Sequence, residues 1–197
     1  MGDEVAADDR YAWTESDDGP FALGAAVALV KSCSPARALA VLGARRATPV
    51  APARIVRDWA DQQDYEHYGT AVEAGEIGGW TIVVELNGYQ ATVPELLEVL
   101  SQDGEAVVIF QNVNALSSFQ YAKNGTIVRA FDPLLPHMSQ IGAPLPEEQG
   151  IAFPGEHNEL HPMRGAFLLA ERLTGIGLAE SDVSEPGDRI AVGIHPG

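Results

Sequence analysis

The sequence predicts an α+β protein in which a mostly antiparallel sheet carries short helices on one face. Two dipeptides, Gly78-Gly79 and Asn124-Gly125, each separate two short β-type runs, and such dipeptides favour tight hairpins. Short leucine-rich runs that begin at a proline and end near a glycine lie between some of the strands, which is typical of brief helices. Hairpins linked by such helices favour a helical layer on one side of an antiparallel sheet.

The length and composition favour one folded domain. The chain has 197 residues, of which 46% are hydrophobic and 20% charged, enough for a single well-buried core. We predict an acidic N-terminal segment over residues 1–20 and one α+β domain over residues 21–197. Within that domain, prolines recur and hydrophobic periodicity is lost over residues 132–162, so we expect a proline-rich extended segment there.

Local signals place the elements in order. An apolar run at 22–32 predicts a strand or another buried segment, and Ser34-Pro35 predicts the start of a helix that continues over 37–42 and ends at Gly43. Later helices are expected around 55–62, from Pro94 to residue 100, and over 163–174, where Gly175 provides the terminator. The remaining strands are expected at 71–77, 80–86, 106–112, 117–122, 126–131 and 190–194.

Two stretches share one order of signals. Residues 27–43 and 83–104 both run strand, cap, proline, leucine-rich helix, glycine. A duplicated β-α unit would produce this order, and so would the capping rules that all helices share, which is the simpler explanation.

Charge limits the class of partner. The chain carries 28 acidic and 12 basic side chains, a formal net charge of −16. Because nucleic-acid binding depends on basic side chains that neutralise phosphates, we predict no direct nucleic-acid partner. The same field would attract a basic protein. Seven of the acidic residues precede Pro20, so part of the excess belongs to the N-terminal segment.

Cysteine content and hydropathy point to the cytoplasm. Cys33 is the only cysteine, so no internal disulfide forms and nothing marks an oxidising compartment. The longest apolar stretch, 21–30, is too short to span a bilayer and lacks a preceding basic region. We therefore expect no membrane association. Cys33 itself is interpreted as a structural residue, since no adjacent base or phosphatase-type arginine accompanies it.

The weak metal candidates are His157 and His161. Their spacing would place both imidazoles on one face of a helix, with Glu156 and Glu159 beside them. The order of residues matches neither the H-E-x-x-H pattern nor its inverse, and Gly155 and Pro162 leave little room for a helix. A solvated polar loop is the favoured interpretation, and we predict neither a metal nor any other cofactor.

The weak candidates for binding are Glu85, Asn112 and Asn114. Glu85 lies between apolar neighbours in a strand, where alternation directs it to the opposite face, which we expect to be solvent. Asn112 and Asn114 end another strand on a shared face, where they would line a groove or satisfy turn backbone groups. The chain contains no G-x-S-x-G, S-x-x-K or P-loop pattern, so the sequence identifies no catalytic residue.

Several stretches carry a resemblance to a known family. They are GGWTIVVELNG at 78–88, PELL at 94–97, NVNA at 112–115 and AERLTG at 170–175. Over residues 22–132 and the last of these stretches, the chain resembles an uncharacterised actinobacterial, Streptomyces-type family of unknown function. The N-terminal nineteen residues and the proline-rich segment lie outside this resemblance. Because that family has no assigned activity, the resemblance implies no mechanism.

Three functions remain open from the sequence. The first is a non-catalytic binding or regulatory protein, for example an immunity-type protein that covers the basic site of a protein partner. The second is a hydrolase whose Asp, Glu and His residues are brought together by the fold. The third is a structural component of a larger assembly, which would expose an apolar patch on one face of the sheet.

Overall fold

Positive φ angles at both central residues define the two predicted hairpin turns. Gly78 and Gly79 have φ angles of 55° and 82°, and Asn124 and Gly125 have φ angles of 49° and 74°. Two successive positive φ angles match the type I′ turn, whose twist suits the flanking strands. The first turn joins β3 (Thr70–Ile77) to β4 (Trp80–Leu86), and the second joins β6 (Ser117–Lys123) to β7 (Thr126–Phe131). Both predicted hairpins are confirmed.

The computed structural model describes residues 9–43, 47–62, 69–153 and 161–194. In these residues nine strands form a single sheet, in the order β2-β9-β3-β4-β1-β5-β6-β7-β8, and every neighbouring pair is antiparallel. The remaining strands are β1 (Ala25–Val30), β2 (Ala51–Pro52), β5 (Glu105–Gln111), β8 (Gln140–Ile141) and β9 (Ile190–Ile194). The predicted α+β class with an antiparallel sheet is confirmed.

The described residues also form five short α-helices: α1 (Pro35–Leu42), α2 (Ala53–Asp61), α3 (Pro94–Leu100), α4 (Pro162–Thr174) and α5 (Glu180–Ser184). The predicted caps hold, since Ser34 Oγ accepts the N–H of Arg37 at 3.3 Å and Gly175 ends α4 with a φ angle of 74°. Within the described part of the chain, no helix has the length and apolar character needed to cross a bilayer.

The centre of the sheet has a recognisable topology. Strand β4 lies between β1 and β3, which α1 connects, and β1 lies between β4 and β5, which α3 connects. This double split β-α-β arrangement is the ferredoxin-like β-α-β-β-α-β motif, here with β2 and α2 inserted before β3. The two stretches that share one order of signals in the sequence therefore occupy equivalent places in the two halves of the motif.

Helices cover both faces of the sheet. All six residues of β1 are buried. Val30 lies in one core cluster with Leu39 of α1 and Leu97 of α3, so the two helices of the motif share one face. The expectation of helices on one face holds for this pair, whereas α4 packs on the other face. Leu29 points the other way into a cluster with Phe167 of α4. The second layer exists because the inner strands are apolar on both faces, and an uncovered apolar face would be exposed to water.

Residues 9–20, which belong to the predicted acidic N-terminal segment, pack on the domain. Tyr11 is fully buried and its ring centroid lies 5.6 Å from that of Phe167. The Tyr11 hydroxyl donates to Glu171 Oε2 at 2.7 Å, and Arg10 pairs with Oε1 of the same carboxylate. Burial, together with Glu171, raises the pKa of Tyr11 above its usual value. This part of the segment is fixed by an aromatic anchor despite its acidity.

We expect Tyr11→Phe to lower the free energy of unfolding by about 1 kcal/mol, because one buried hydrogen bond is lost while the ring stays. Chemical denaturation monitored by circular dichroism measures the change. Tyr89→Phe is the matched control, since Tyr89 is 57% exposed and should tolerate the loss of its hydroxyl. Equal effects of the two substitutions would contradict a structural role for the Tyr11 hydroxyl.

The described part of the proline-rich segment is attached to the sheet by Arg129. This buried side chain donates to Glu148 through Nε and Nη2 at 2.7 and 3.0 Å, and to Gln140 Oε1 at 2.9 Å. Its guanidinium also lies 4.6 Å from the ring centroid of Phe131. The segment up to residue 153 is thus packed by a bidentate ion pair as well as by the two-residue strand β8.

Candidate binding groove at the sheet edge

Strand β3 extends beyond β9 and leaves a gap at the edge of the sheet. Ala74 pairs with Ile190, the first residue of β9, whereas Gly75, Glu76 and Ile77 pair only with β4 within the described residues. A cavity of about 650 Å³ opens at this gap, and we name it the edge groove. Its lining comprises Pro35, residues 74–77, Ile82, Ser181, Asp182 and residues 185–190.

Residues from both helical layers line the edge groove. Pro35 begins α1, which packs on one face of the sheet, and Ser181 and Asp182 belong to α5, which packs on the other through Val183. Residues 185–188, which precede β9, complete this lining. A ligand in the groove would therefore contact the bare edge of β3 and side chains from both layers.

Four carboxylates line the edge groove: Glu76, Asp182, Glu185 and Asp188. All except the half-buried Asp182 are exposed. The basic residue of the lining, Arg189, is only 8% exposed and donates from Nε to Glu73 at 2.9 Å. Burial lowers the pKa of Arg189, and Glu73 opposes that shift. Since four exposed or half-buried carboxylates outnumber this one buried arginine, the groove presents a negative surface.

A buried Arg-Glu-Arg cluster holds one wall of the groove in place. Glu73 is 1% exposed and accepts hydrogen bonds from Arg57 Nη2 and Arg189 Nε, both at 2.9 Å, with a further short contact from Arg57 Nε. The two guanidinium groups also donate to the carbonyls of Asp182, Val183, Ser184 and Glu185. These carbonyls lie at the C-terminal end of α5, where the negative end of the helix dipole makes a cation favourable. The cluster thus attaches α5 to the sheet beside the groove.

Glu85 does not face solvent, so that expectation is wrong. Alternation does direct it away from Val84 and Leu86, but the helical layer that contains α1 and α3 covers this face, and Glu85 is fully buried. Its carboxylate accepts the backbone N–H groups of Gln90 and Ala91, each at 2.7 Å. Burial raises the pKa of Glu85 to about 7, while the two hydrogen bonds oppose the shift. The structure places it as a buried cap of the 3-10 turn at Gln90–Thr92.

Asn112 and Asn114 belong to the turn between β5 and β6. Asn112 Oδ1 accepts the backbone N–H groups of Asn114 at 3.0 Å and Leu116 at 3.1 Å, so this side chain satisfies turn backbone groups. Asn114 is exposed. Asn112 also lines a cavity of about 260 Å³ together with Glu15, on the opposite side of the sheet centre from the edge groove. The structure brings neither asparagine to the edge groove.

His161 lies immediately before α4 and contacts the N-terminal segment. Its Nδ1 is 2.5 Å from Glu15 Oε2, and Arg164 Nε donates to the same oxygen at 2.9 Å. Its proposed metal partner, His157, lies outside the described residues. In the part of the chain that is described, no group of three or more His, Cys, Asp or Glu side chains has a geometry for holding a metal ion. The role of His161 seen here is a hydrogen-bonded contact between α4 and residues 9–20.

Cys33 follows β1 and is partly buried against the α1 side of the core. Its backbone carbonyl accepts a hydrogen bond from the Thr81 hydroxyl. Burial raises the pKa of the Cys33 thiol, and Arg37 opposes that shift. A thiol with a raised pKa is a poor nucleophile at neutral pH, which agrees with a structural interpretation.

The residues that build the groove could not be predicted from local sequence patterns. Arg189 is 116 positions from Glu73, so no local pattern reveals their pairing. One signal was available, because Gly75 interrupts a predicted strand, and a strand glycine often marks a close approach. A Cβ at this position would lie 2.7 Å from Cγ of Arg189, so the glycine provides the space that lets Arg189 reach Glu73.

These features define an α+β protein with a ferredoxin-like centre and an acidic groove at one sheet edge. The chain belongs to a family of unknown function, DUF6461, whose model matches residues 3–186. This match includes the N-terminal segment and the proline-rich segment, both of which the sequence resemblance had left out. No curated protein and no solved structure matched the chain.

Proposed function

We propose that this protein is a non-catalytic binding protein whose edge groove holds a basic segment of a protein partner. The observation that carries the proposal is the clustering of four carboxylates around residues 75–77 of β3, which pair only with β4 within the described part of the chain. An exposed strand edge is a template for another chain, and opposite charge directs which chain approaches. An immunity-type protein that covers the basic site of a toxin, acting in the cytoplasm of an actinobacterium, is the specific form of this proposal.

The whole-chain charge supports the same class of partner. A formal net charge of −16 repels nucleic acids and raises the association rate of a basic protein, most strongly at low salt. Exposed ion pairs each contribute only about 0.2–1 kcal/mol, so the groove carboxylates provide selectivity and rate more than affinity. Additional binding energy would come from backbone hydrogen bonds at the strand edge.

The test uses a fluorescently labelled oligolysine peptide and two variants with equal charge changes. In the groove variant, Glu76→Gln, Glu185→Gln and Asp188→Asn are combined. In the control variant, Asp18→Asn, Glu95→Gln and Glu98→Gln are combined at other exposed positions. We expect the groove variant to bind about tenfold more weakly than the control, because three local pairs are lost.

Fluorescence anisotropy at low and at physiological salt measures both affinities. If the two variants weaken binding equally, the peptide responds only to net charge and the groove is not its site. If neither the unmodified protein nor the control variant binds the peptide at low salt, the proposed binding of basic segments is wrong.

A further inference from the structure

The backbone orientation at the groove is fixed by the neighbouring hairpin. In a two-residue hairpin the residues that flank the turn, here Ile77 and Trp80, exchange backbone hydrogen bonds across the strand pair. Orientation alternates along an antiparallel strand, so Ala74 and Glu76 direct their N–H and C=O groups to the other side, toward β9. Ala74 meets Ile190 there, whereas Glu76 has no paired strand within the described residues. One donor and one acceptor of β3 therefore open into the edge groove.

The groove carboxylates lie on both sides of this edge. Glu76 has the same strand parity as Val72 and Ala74, which face the layer of α1 and α3. Asp182 and Glu185 belong to α5 and the residue that follows it, which lie on the face covered by α4. A strand added at the edge would present consecutive side chains to opposite faces. Two adjacent basic residues would thus each meet a carboxylate, whereas basic residues two apart would both point to one face.

We propose that the edge groove binds an extended segment with two consecutive basic residues, which pairs with the backbone of Glu76 as an added strand. The inference rests on the proposed function and specifies the mode of recognition. The aliphatic parts of the two basic side chains would pack on Pro35 and Ile77, which also line the groove. Strand addition combines main-chain hydrogen bonds with side-chain specificity in other peptide-binding domains.

Two hexapeptides of equal composition and charge test the inference. One is Thr-Val-Lys-Arg-Val-Thr and the other is Thr-Lys-Val-Arg-Val-Thr, both with blocked termini. Titration into the ¹⁵N-labelled protein follows the backbone amides of Gly75, Glu76 and Ile77 by NMR. We expect the first peptide to shift these amides and to bind about fivefold more tightly, because only it places basic groups on both faces.

Backbone N-methylation distinguishes strand pairing from charge attraction. We expect N-methylation of one basic residue of the first peptide to weaken binding about tenfold, since the amide that pairs with Glu76 is lost. N-methylation of the other basic residue should have a much smaller effect, because alternate amides of an added strand point away from the sheet.

The outcomes separate the two proposals. Equal affinities of the two hexapeptides, with tolerance of both N-methylations, would overturn the strand inference, and the oligolysine comparison would still decide the proposed function. Shifts confined to another part of the sheet, such as the residues of β7 that do not pair with β8, would also overturn the inference. If neither the hexapeptides nor oligolysine affects the amides of residues 75–77 at millimolar concentration, both proposals are wrong.

Discussion

Glu73→Gln is expected to lower the free energy of unfolding by about 3–5 kcal/mol, because removal of one partner from a buried ion cluster leaves uncompensated charge. Arg189 would remain buried with its carbonyl partners but without the carboxylate that neutralises it. Arg57 would lose the same partner. Chemical denaturation monitored by circular dichroism measures the loss, provided that unfolding is a single cooperative transition.

Glu76→Gln is the matched control for this experiment. It makes the same chemical change on the same strand, but at an exposed carboxylate, so its effect on stability should stay within about 0.5 kcal/mol. The two variants also separate stability from binding. Glu76 lines the groove, whereas Glu73 belongs to the buried cluster that attaches α5 to the sheet. A cost for Glu73→Gln no greater than that for Glu76→Gln would show that the buried cluster does not stabilise the fold.

If Glu73→Gln proves too unstable to purify, Arg57→Met provides a second measurement. This change removes one cation and leaves Glu73 paired with Arg189, so its cost should be smaller than that of Glu73→Gln. The carbonyls of Val183 and Ser184 would each lose a donor. We therefore expect a measurable loss of stability together with weaker attachment of α5. An unchanged free energy of unfolding would contradict the role of the cluster.

The elements that the sequence predicted well are those that local chemistry determines. Asn124-Gly125 accepts two positive φ angles more readily than other dipeptides, so the hairpin could be located from these two residues. Ser34-Pro35 combines a side chain that accepts a backbone N–H with a ring that fixes the first helical φ angle. Neither signal depends on what the rest of the chain does, which is why both predictions are confirmed.

The burial of Glu85 could not be predicted in the same way. Strand alternation correctly separates it from Val84 and Leu86, but alternation does not tell which face is covered. An acidic residue in an apolar strand is most simply placed toward water. Here both faces are covered, and the missing information was that the backbone after Gly88 turns to offer two N–H groups to the carboxylate. Pairing with those donors is what makes the buried position tolerable.

The edge groove was inaccessible to sequence reasoning for a different reason. It arises because β3 is longer than β9, and the relative lengths and register of strands distant in sequence follow from the complete fold. The charges that line it come from β3, α5 and the turn before β9. Net charge alone suggested a basic partner, whereas the location of the acidic surface depends on which of the 28 acidic side chains the fold brings together.

The stability of the protein relative to Glu85→Gln is expected to fall by about 3 kcal/mol as the pH rises from about 4.5 to above 7. Burial raises the pKa of Glu85 from 4.5 to about 7 in the folded protein. Below pH 4.5 the carboxyl group is protonated in both the folded and unfolded states, so the contribution of the neutral Glu85 side chain to stability is fully present. As the pH rises through the folded pKa, the buried group ionises and that contribution is lost. The difference between these two pKa values corresponds to a change of about 3 kcal/mol in the free energy of unfolding.

Glutamine is the appropriate comparison because it resembles the protonated acid in shape and in having a single strong acceptor oxygen. Each neutral form leaves one of the two N–H groups of Gln90 and Ala91 poorly paired, so this cost cancels in the difference. Urea denaturation across the pH range gives the free energy of unfolding of both proteins, and subtraction removes the titration of the other carboxylates. A difference that stays constant with pH would show that the two backbone hydrogen bonds fully offset the cost of burying the charge.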